Sequence, residues 1–398
     1  MRNKRTGTPL GIETAHLASR LVSRFPFLVS RFSLLALAMI ALLTGMWAGL
    51  LRLGWELPSL KATLPGAHGA LMVGGFLGTV IGLERAVALG RRWAYIAPLL
   101  SGLGGVALII ALGMPWPLWA AGPLLLTLGS IALVAVYIAV MRLQLTLFTV
   151  VMALGAVVWA CGNILWLVWL PIYQTTLWWA GFLILTIVGE RLELTRLLPR
   201  KAASVPLFVA AVGIYIVGLA LSVPLHDVGT RVMGAGMLGL ALWLARYDIA
   251  RRTVRREGVT RFIAVSLIAG YVWLLVGGAL AFLYGGVAAG PRYDALLHSI
   301  FLGFAFSMIF AHAPIILPAV SGLAVPFRSV FYGHLFLLEA SLALRVASDL
   351  SGWVDGRQWG GLLSVISLLA FMANTAIAVA AGKRVASRTQ SQHIQPAS

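Results

Sequence analysis

Apolar residues fall in long blocks along this chain, without the alternation of a half-buried strand or the one-sided stripe of a soluble helix. Each block runs for about 20 residues, the length of helix that crosses a hydrocarbon layer of about 30 Å. Twelve spans are read, at 32–52, 67–89, 94–112, 116–139, 145–170, 174–198, 204–222, 229–248, 260–286, 293–320, 327–347 and 358–382. Spans 3 and 4 are separated only by Gly113 to Pro115, the weakest boundary of the set. An α-helix satisfies its own backbone groups in lipid, so the pattern predicts an all-α membrane protein. A closed β-barrel is excluded, because its strands are shorter and alternate in polarity. The organisation that follows is a single transmembrane domain over 32–382, a basic segment at 1–31 and a polar tail at 383–398.

Composition agrees. Of 398 residues, 60% are hydrophobic and 11% charged, far less charge than a soluble surface of this size requires. The net charge of +18 raises nucleic acid as a partner, and its placement argues against one. With the N-terminus inside, all of the 30 Lys and Arg residues except Arg52, Lys61, Arg231, Arg292, Arg345 and Arg357 fall on the inner side. That inner group includes Arg2, Lys4, Arg5, Arg20, Arg24, Arg31, Arg91, Arg92, Arg200, Lys201 and the run Arg251, Arg252, Arg255, Arg256. The bias is the positive-inside rule, so the charge reports orientation in a bacterial inner membrane with both termini cytoplasmic. The partner it implies is the lipid bilayer. The stretch from Gly11 to Phe32 mixes Arg with Leu, Val and Phe and reads as a surface helix on the anionic inner leaflet. A cleavable signal peptide is not expected, since the first apolar block is full-length and starts after residue 31. Cys161 stands alone, which excludes an intramolecular disulfide, a thiolate-held iron–sulfur cluster and a covalent C-x-x-C-H haem.

A repeat is visible within the spans. Span 2 reads Gly75-Phe76-Leu77, then Ile81 and Glu84-Arg85; span 6 reads Gly181-Phe182-Leu183, then Ile187 and Glu190-Arg191 at the same offsets. Span 10 reads Gly303-Phe304 with Ile309, and His312 where the glutamate stood. Trp47, Trp159 and Trp273 mark spans 1, 5 and 9. Together they predict three parallel repeats of four helices.

Histidine carries the candidate chemistry. His16, His226 and His393 sit in a tail or loop and read as solvated, whereas His68, His298, His312 and His334 lie inside spans, where ionisable groups are costly and usually functional. His298 and His312 share span 10, about 21 Å apart along the axis and about 40° apart around it, hence on one face. His68 opens span 2 at the depth of His298, and His334 lies on span 11 near the depth of His312. The four sort into an outer pair and an inner pair, the arrangement two stacked b-type haems require, each haem taking two neutral imidazoles. Copper suits imidazole as well and stays open as the metal. Hydrogen-bonded structural histidines are the competing reading. Gly74, Gly75, Gly78, Gly82 and Gly303 either allow close helix packing or leave room for a flat macrocycle.

Other polar groups are less specific. Glu84, Arg85, Glu190, Arg191 and Glu193 mark the inner ends of spans 2 and 6, as local ion pairs or as a route for proton uptake. Asn163 reads as a helix–helix hydrogen bond. Pro314 and Pro318 should bend or end span 10. No Walker motif, H-E-x-x-H or G-x-S-x-G appears.

The run Leu297-His298-Ser299-Ile300-Phe301-Leu302-Gly303-Phe304, with His312 and Leu317-Pro318, resembles the NnrS family. His68-Gly69-Ala70-Leu71-Met72-Val73-Gly74-Gly75-Phe76 in span 2 is similar to that family's other motif. More distantly, the twelve-span architecture resembles the haem–copper oxidase catalytic subunit. The resemblance implies a haem- and copper-containing membrane protein linked to nitric oxide or nitrosative-stress metabolism. The chain departs from the oxidases in carrying no histidine on spans 6 and 7, where an oxidase holds its copper. The expectation is therefore a haem b protein, with one or two haems on His68, His298, His312 and His334, serving electron transfer or nitric-oxide chemistry with a small-molecule ligand or redox partner. A proton-coupled transporter and a cofactor-free assembly protein are the alternatives.

Overall fold

The computed structural model describes residues 10–58, 61–115, 118–168, 170–196 and 202–392, with side chains described from residue 31 to 382. The side chains of His16, Arg20 and Arg24, the outermost basic residues Arg2, Lys4 and Arg5, the pair Arg200-Lys201, and His393 lie outside the described set. Among the described residues every regular element is helical.

Twelve long helices follow the twelve apolar spans: α1 (Leu10–Arg52), α2 (Leu64–Leu89), α3 (Arg92–Ala111), α4 (Leu118–Leu143), α5 (Leu147–Leu167), α6 (Ile172–Thr195), α7 (Ser204–Leu221), α8 (His226–Tyr247), α9 (Gly258–Tyr284), α10 (Pro291–Ser321), α11 (Phe331–Ser351) and α12 (Val354–Gln392). Eleven are long and apolar enough to cross a membrane. The exception is α11, whose apolar run is interrupted by His334, Glu339, Arg345 and Asp349. Large apolar side chains such as Leu143 and Phe336 stay exposed at 77% and 75%, as a lipid-facing surface demands. The segment expected to lie on the membrane surface, Gly11 to Phe32, is continuous with the first span as a single helix of 43 residues.

Two helices share an unusual construction. Both α2 and α10 begin with proline in their first turn, at Pro65 and Pro291, where a missing N–H costs nothing. Each then carries a histidine and passes at once into a π-helical segment, Leu71–Leu77 in α2 and Ser299–Phe306 in α10. Segments of this kind are rare and concentrate at functional sites. The two helices run side by side in the same direction. His68 faces His298, and eight residues further along each helix Phe76 stacks on Phe306 with ring centres 6.0 Å apart.

The glycines of these helices are filled by protein. Leu126 lies against Gly74, Ala41 and the backbone of Gly105 against Gly75, Trp159 against Gly78, Pro98 against Gly82 and Trp273 against Gly303. They serve close packing, and none lines open space for a macrocycle. Asn163 joins helices as expected, receiving Trp179 Nε1–H at 2.9 Å and donating to Leu126 O at 3.4 Å. Helix α10 continues through Pro314 and Pro318 and stops only at Gly322, at φ +73°, so neither proline ends it.

Candidate functional site

At the end of the bundle opposite the arginine-rich run 251–256, the rings of His68 and His298 lie 6.2 Å apart, centre to centre, with planes inclined by only 22°. Each ring is fixed through Nδ1. His68 Nδ1 donates to Gly45 O of α1 at 2.7 Å, and His298 Nδ1 donates to Asp294 O at 2.9 Å, one turn back on its own helix. A carbonyl oxygen only accepts, so both Nδ1 atoms carry the proton and both Nε2 lone pairs are free. Among the described residues no hydrogen bond to either Nε2 is seen.

The two imidazoles thus form a near-parallel pair at the long end of the ring-stacking range. Both rings line one cavity of about 290 Å³, walled by Met46, Met72, Trp179, Phe301 and Phe306. Its rim residues Gly66, Ala288 and Ala289 are exposed. That size stands at the lower end of small-ligand pockets.

Behind the histidines stands a charged support that hydropathy does not reveal. Asp294 accepts both Nε and Nη2 of Arg345, at 2.8 and 3.0 Å. Its Oδ1 also lies 3.3 Å from His298 Nδ1. Arg345 thus holds Asp294 and Asp294 holds His298, the outer-shell arrangement that orients metal-bound imidazoles. Arg52 and Arg357 line the same cavity, so three of the six basic residues expected at this end converge on it. Arg357 lies 3.2 Å from Asp349, while Arg52 forms no ion pair with a described carboxylate. Tyr293 closes another wall, its hydroxyl 2.8 Å from Thr176 Oγ1. The signal for Asp294 was present, four residues before His298. Gly49, packed against the His68 ring, had no such signal.

The inner histidines behave differently. His312 Nδ1 donates to Met308 O at 2.7 Å. His334 is buried in a ring of phenylalanines, with Phe310, Phe371 and Phe331 at 4.9, 5.4 and 5.5 Å. Its Nδ1 accepts from the Asn374 amide at 3.1 Å, which leaves the proton on Nε2, an atom buried without a hydrogen-bond partner. An imidazole in that tautomer offers no lone pair at Nε2. Among the described residues no hydrogen bond or ring contact joins His312 to His334. His226 rests against Tyr173 with ring centres 5.0 Å apart.

Among the described residues no three His, Cys, Asp or Glu side chains converge as a metal-binding group. His68 and His298, with the thioethers of Met46 and Met72 in the same cavity wall, are the residues that could hold a haem or a metal ion here.

The inner charges pair with one another. Arg85 bridges Glu84, at 2.9 Å, and Glu190, joining α2 to α6. Arg191 makes two 2.9 Å hydrogen bonds to Asp248, with side-chain exposures of 2% and 0%. Glu193 pairs with Arg196 at 3.2 Å. Ion pairing of this completeness matches the structural reading of these residues.

Comparison with known proteins adds one finding. A family model for a domain of unknown function matches residues 31–380, nearly the whole membrane domain. No curated protein matches the chain.

Proposed function

The chain belongs to that family, DUF8744, and we propose that it is a membrane haem protein binding one b-type haem between His68 and His298. The observation that carries this reading is the 6.2 Å separation of two near-parallel imidazoles in one cavity, each with Nδ1 tied to a carbonyl, which leaves the lone pair on Nε2. Gly45 and Asp294 hold the rings in place, Arg345 holds Asp294, and Arg52 supplies the cation for an acidic edge of the ligand. Haem bound here would supply a one-electron iron couple. With both histidines engaged such a group would serve electron transfer, and nitric-oxide chemistry would require one histidine to yield its place. The arginine-rich end faces the cytoplasm of a bacterial inner membrane, which puts the haem near the outer surface.

The test is an ultraviolet–visible spectrum of detergent-purified protein, air-oxidised and then dithionite-reduced, after expression with ample haem. A Soret band with sharp reduced α and β bands is expected, lost in both His68→Ala and His298→Ala. Metal analysis accompanies it, and stoichiometric copper without haem would move the same histidine pair to copper. A colourless, folded protein without bound metal would refute the reading.

A further inference from the structure

At the opposite end of the bundle lies a larger cavity, about 680 Å³, unrelated to the histidines. It opens where α5 and α7 begin and where α6 and α8 end. Arg196, Arg246, Arg251, Arg252 and Arg255 line it, and all five are exposed. The acid in its wall is Asp248, whose carboxylate is already committed. Both of its oxygens are held by buried Arg191, and Oδ1 also receives Ala250 N–H at 2.7 Å. Of the five arginines, Arg196 is paired, with Glu193; none of the other four forms an ion pair with a described residue. The first turn of α7 adds backbone donors, because Ala203 at its N-cap has no side-chain oxygen to satisfy them.

A pocket with this much unspent positive charge is built for an anion bearing several acceptor oxygens, and a phosphate group matches the arginine fork. The surroundings point to the source. Leu145, Leu147 and Val205 beside the cavity are 76%, 37% and 39% exposed, a surface for acyl chains. Buried Trp243 donates its indole N–H to Ser204 O at 2.7 Å, which fixes the start of α7 beside the cavity. We propose that this cavity binds the phosphate headgroup of an anionic phospholipid. Basic pockets between helices on the cytoplasmic side hold such headgroups in other membrane proteins.

The experiment measures binding of phosphatidylglycerol, cardiolipin and phosphatidylcholine to the delipidated full-length protein by native mass spectrometry, with thermal unfolding in parallel. Inorganic phosphate and pyrophosphate form separate arms. The anionic lipids should bind at least about tenfold more tightly than phosphatidylcholine and raise the unfolding midpoint. Arg252→Gln with Arg255→Gln should weaken them roughly thirtyfold, at about one interaction of surface strength per arginine. Arg91→Gln with Arg92→Gln, two exposed arginines at the same end outside the cavity, should leave binding unchanged. Should the Arg252/Arg255 double variant fail to fold, single Arg255→Gln is read in the same assay. Equal loss in the two double variants would show general surface attraction and overturn the pocket. Stabilisation by phosphate or pyrophosphate that displaces lipid at equal phosphate concentration would overturn the lipid in favour of a soluble ligand.

Discussion

Replacing Gly49 by alanine tests the haem site without touching a ligand. Gly49 lies on α1 one turn after Gly45, the residue whose carbonyl holds His68. A Cβ there would sit 2.9 Å from His68 Cε1 and 3.0 Å from Nδ1. Unstrained contacts between such atoms are about 3.5–4.0 Å, so the imidazole must withdraw from α1 by about 0.6 Å. That withdrawal lengthens the 2.7 Å bond to Gly45 O. It also exceeds the roughly 0.2 Å tolerance of a metal–ligand distance. Losing the outer-shell partner of a ligating histidine typically costs about 10–100-fold in metal affinity, and Gly49→Ala should weaken haem by that factor. The assay is transfer of haem to excess apomyoglobin, followed in the Soret band, with unfolding of the haem-free protein as a control on folding. The apo unfolding midpoint should hardly move, since the change adds one methyl beside a cavity. Haem affinity equal to wild type in Gly49→Ala, alongside its loss in His68→Ala, would refute the claim that this ring position sets binding.

Three further outcomes are expected. Replacing His312 or His334 by alanine should leave haem stoichiometry at one per chain, measured by pyridine haemochrome, because neither is paired across a gap; a fall by half would restore the two-haem arrangement. Asp248→Asn should destabilise the protein by about 3–5 kcal/mol, because it strands a buried guanidinium, while Arg191→Met with Asp248→Leu recovers much of the loss. Detergent thermal unfolding reads this, and a single variant as stable as the double one would contradict it. Gly105→Val should cost about 1–3 kcal/mol or more by overpacking, since even a Cβ at Gly105 lies 3.0 Å from Gly75 Cα; an unchanged midpoint would mean that α2 and α3 separate easily.

Much of the architecture was readable from hydropathy because lipid imposes one dominant rule on length and polarity. Span 2, read as 67–89, is helix Leu64–Leu89, and span 10, read as 293–320, is Pro291–Ser321. The outer histidines met because depth and helix neighbourhood together placed them. For the inner histidines the sequence offered matching depth, and no ring contact joins them among the described residues. Depth is one coordinate, and the rotation of α11 about its own axis, which turns His334 into the phenylalanines, leaves no mark on hydropathy. The supporting charges were hidden for another reason. Arg345 reaches Asp294 across 51 residues, and a sequence gives no distance between two helices. The π-helical segments were equally silent, since widening a turn changes no residue type.

Those segments carry a consequence for how the two histidine helices tolerate length change. A π-turn is an α-helix holding one surplus residue, so each helix consists of two halves indexed separately. The wide turn absorbs that residue, so removing one residue from Leu71–Leu77 would return the stretch to α geometry while His68 keeps nearly its present phase relative to Thr79 and Leu83. Because α10 holds a surplus of the same kind at nearly the same depth, the same holds for His298. Each helix can thus lose a residue at its wide turn with its histidine still facing the other, whereas the same loss from an unbroken α-helix would turn the ring by about 100°.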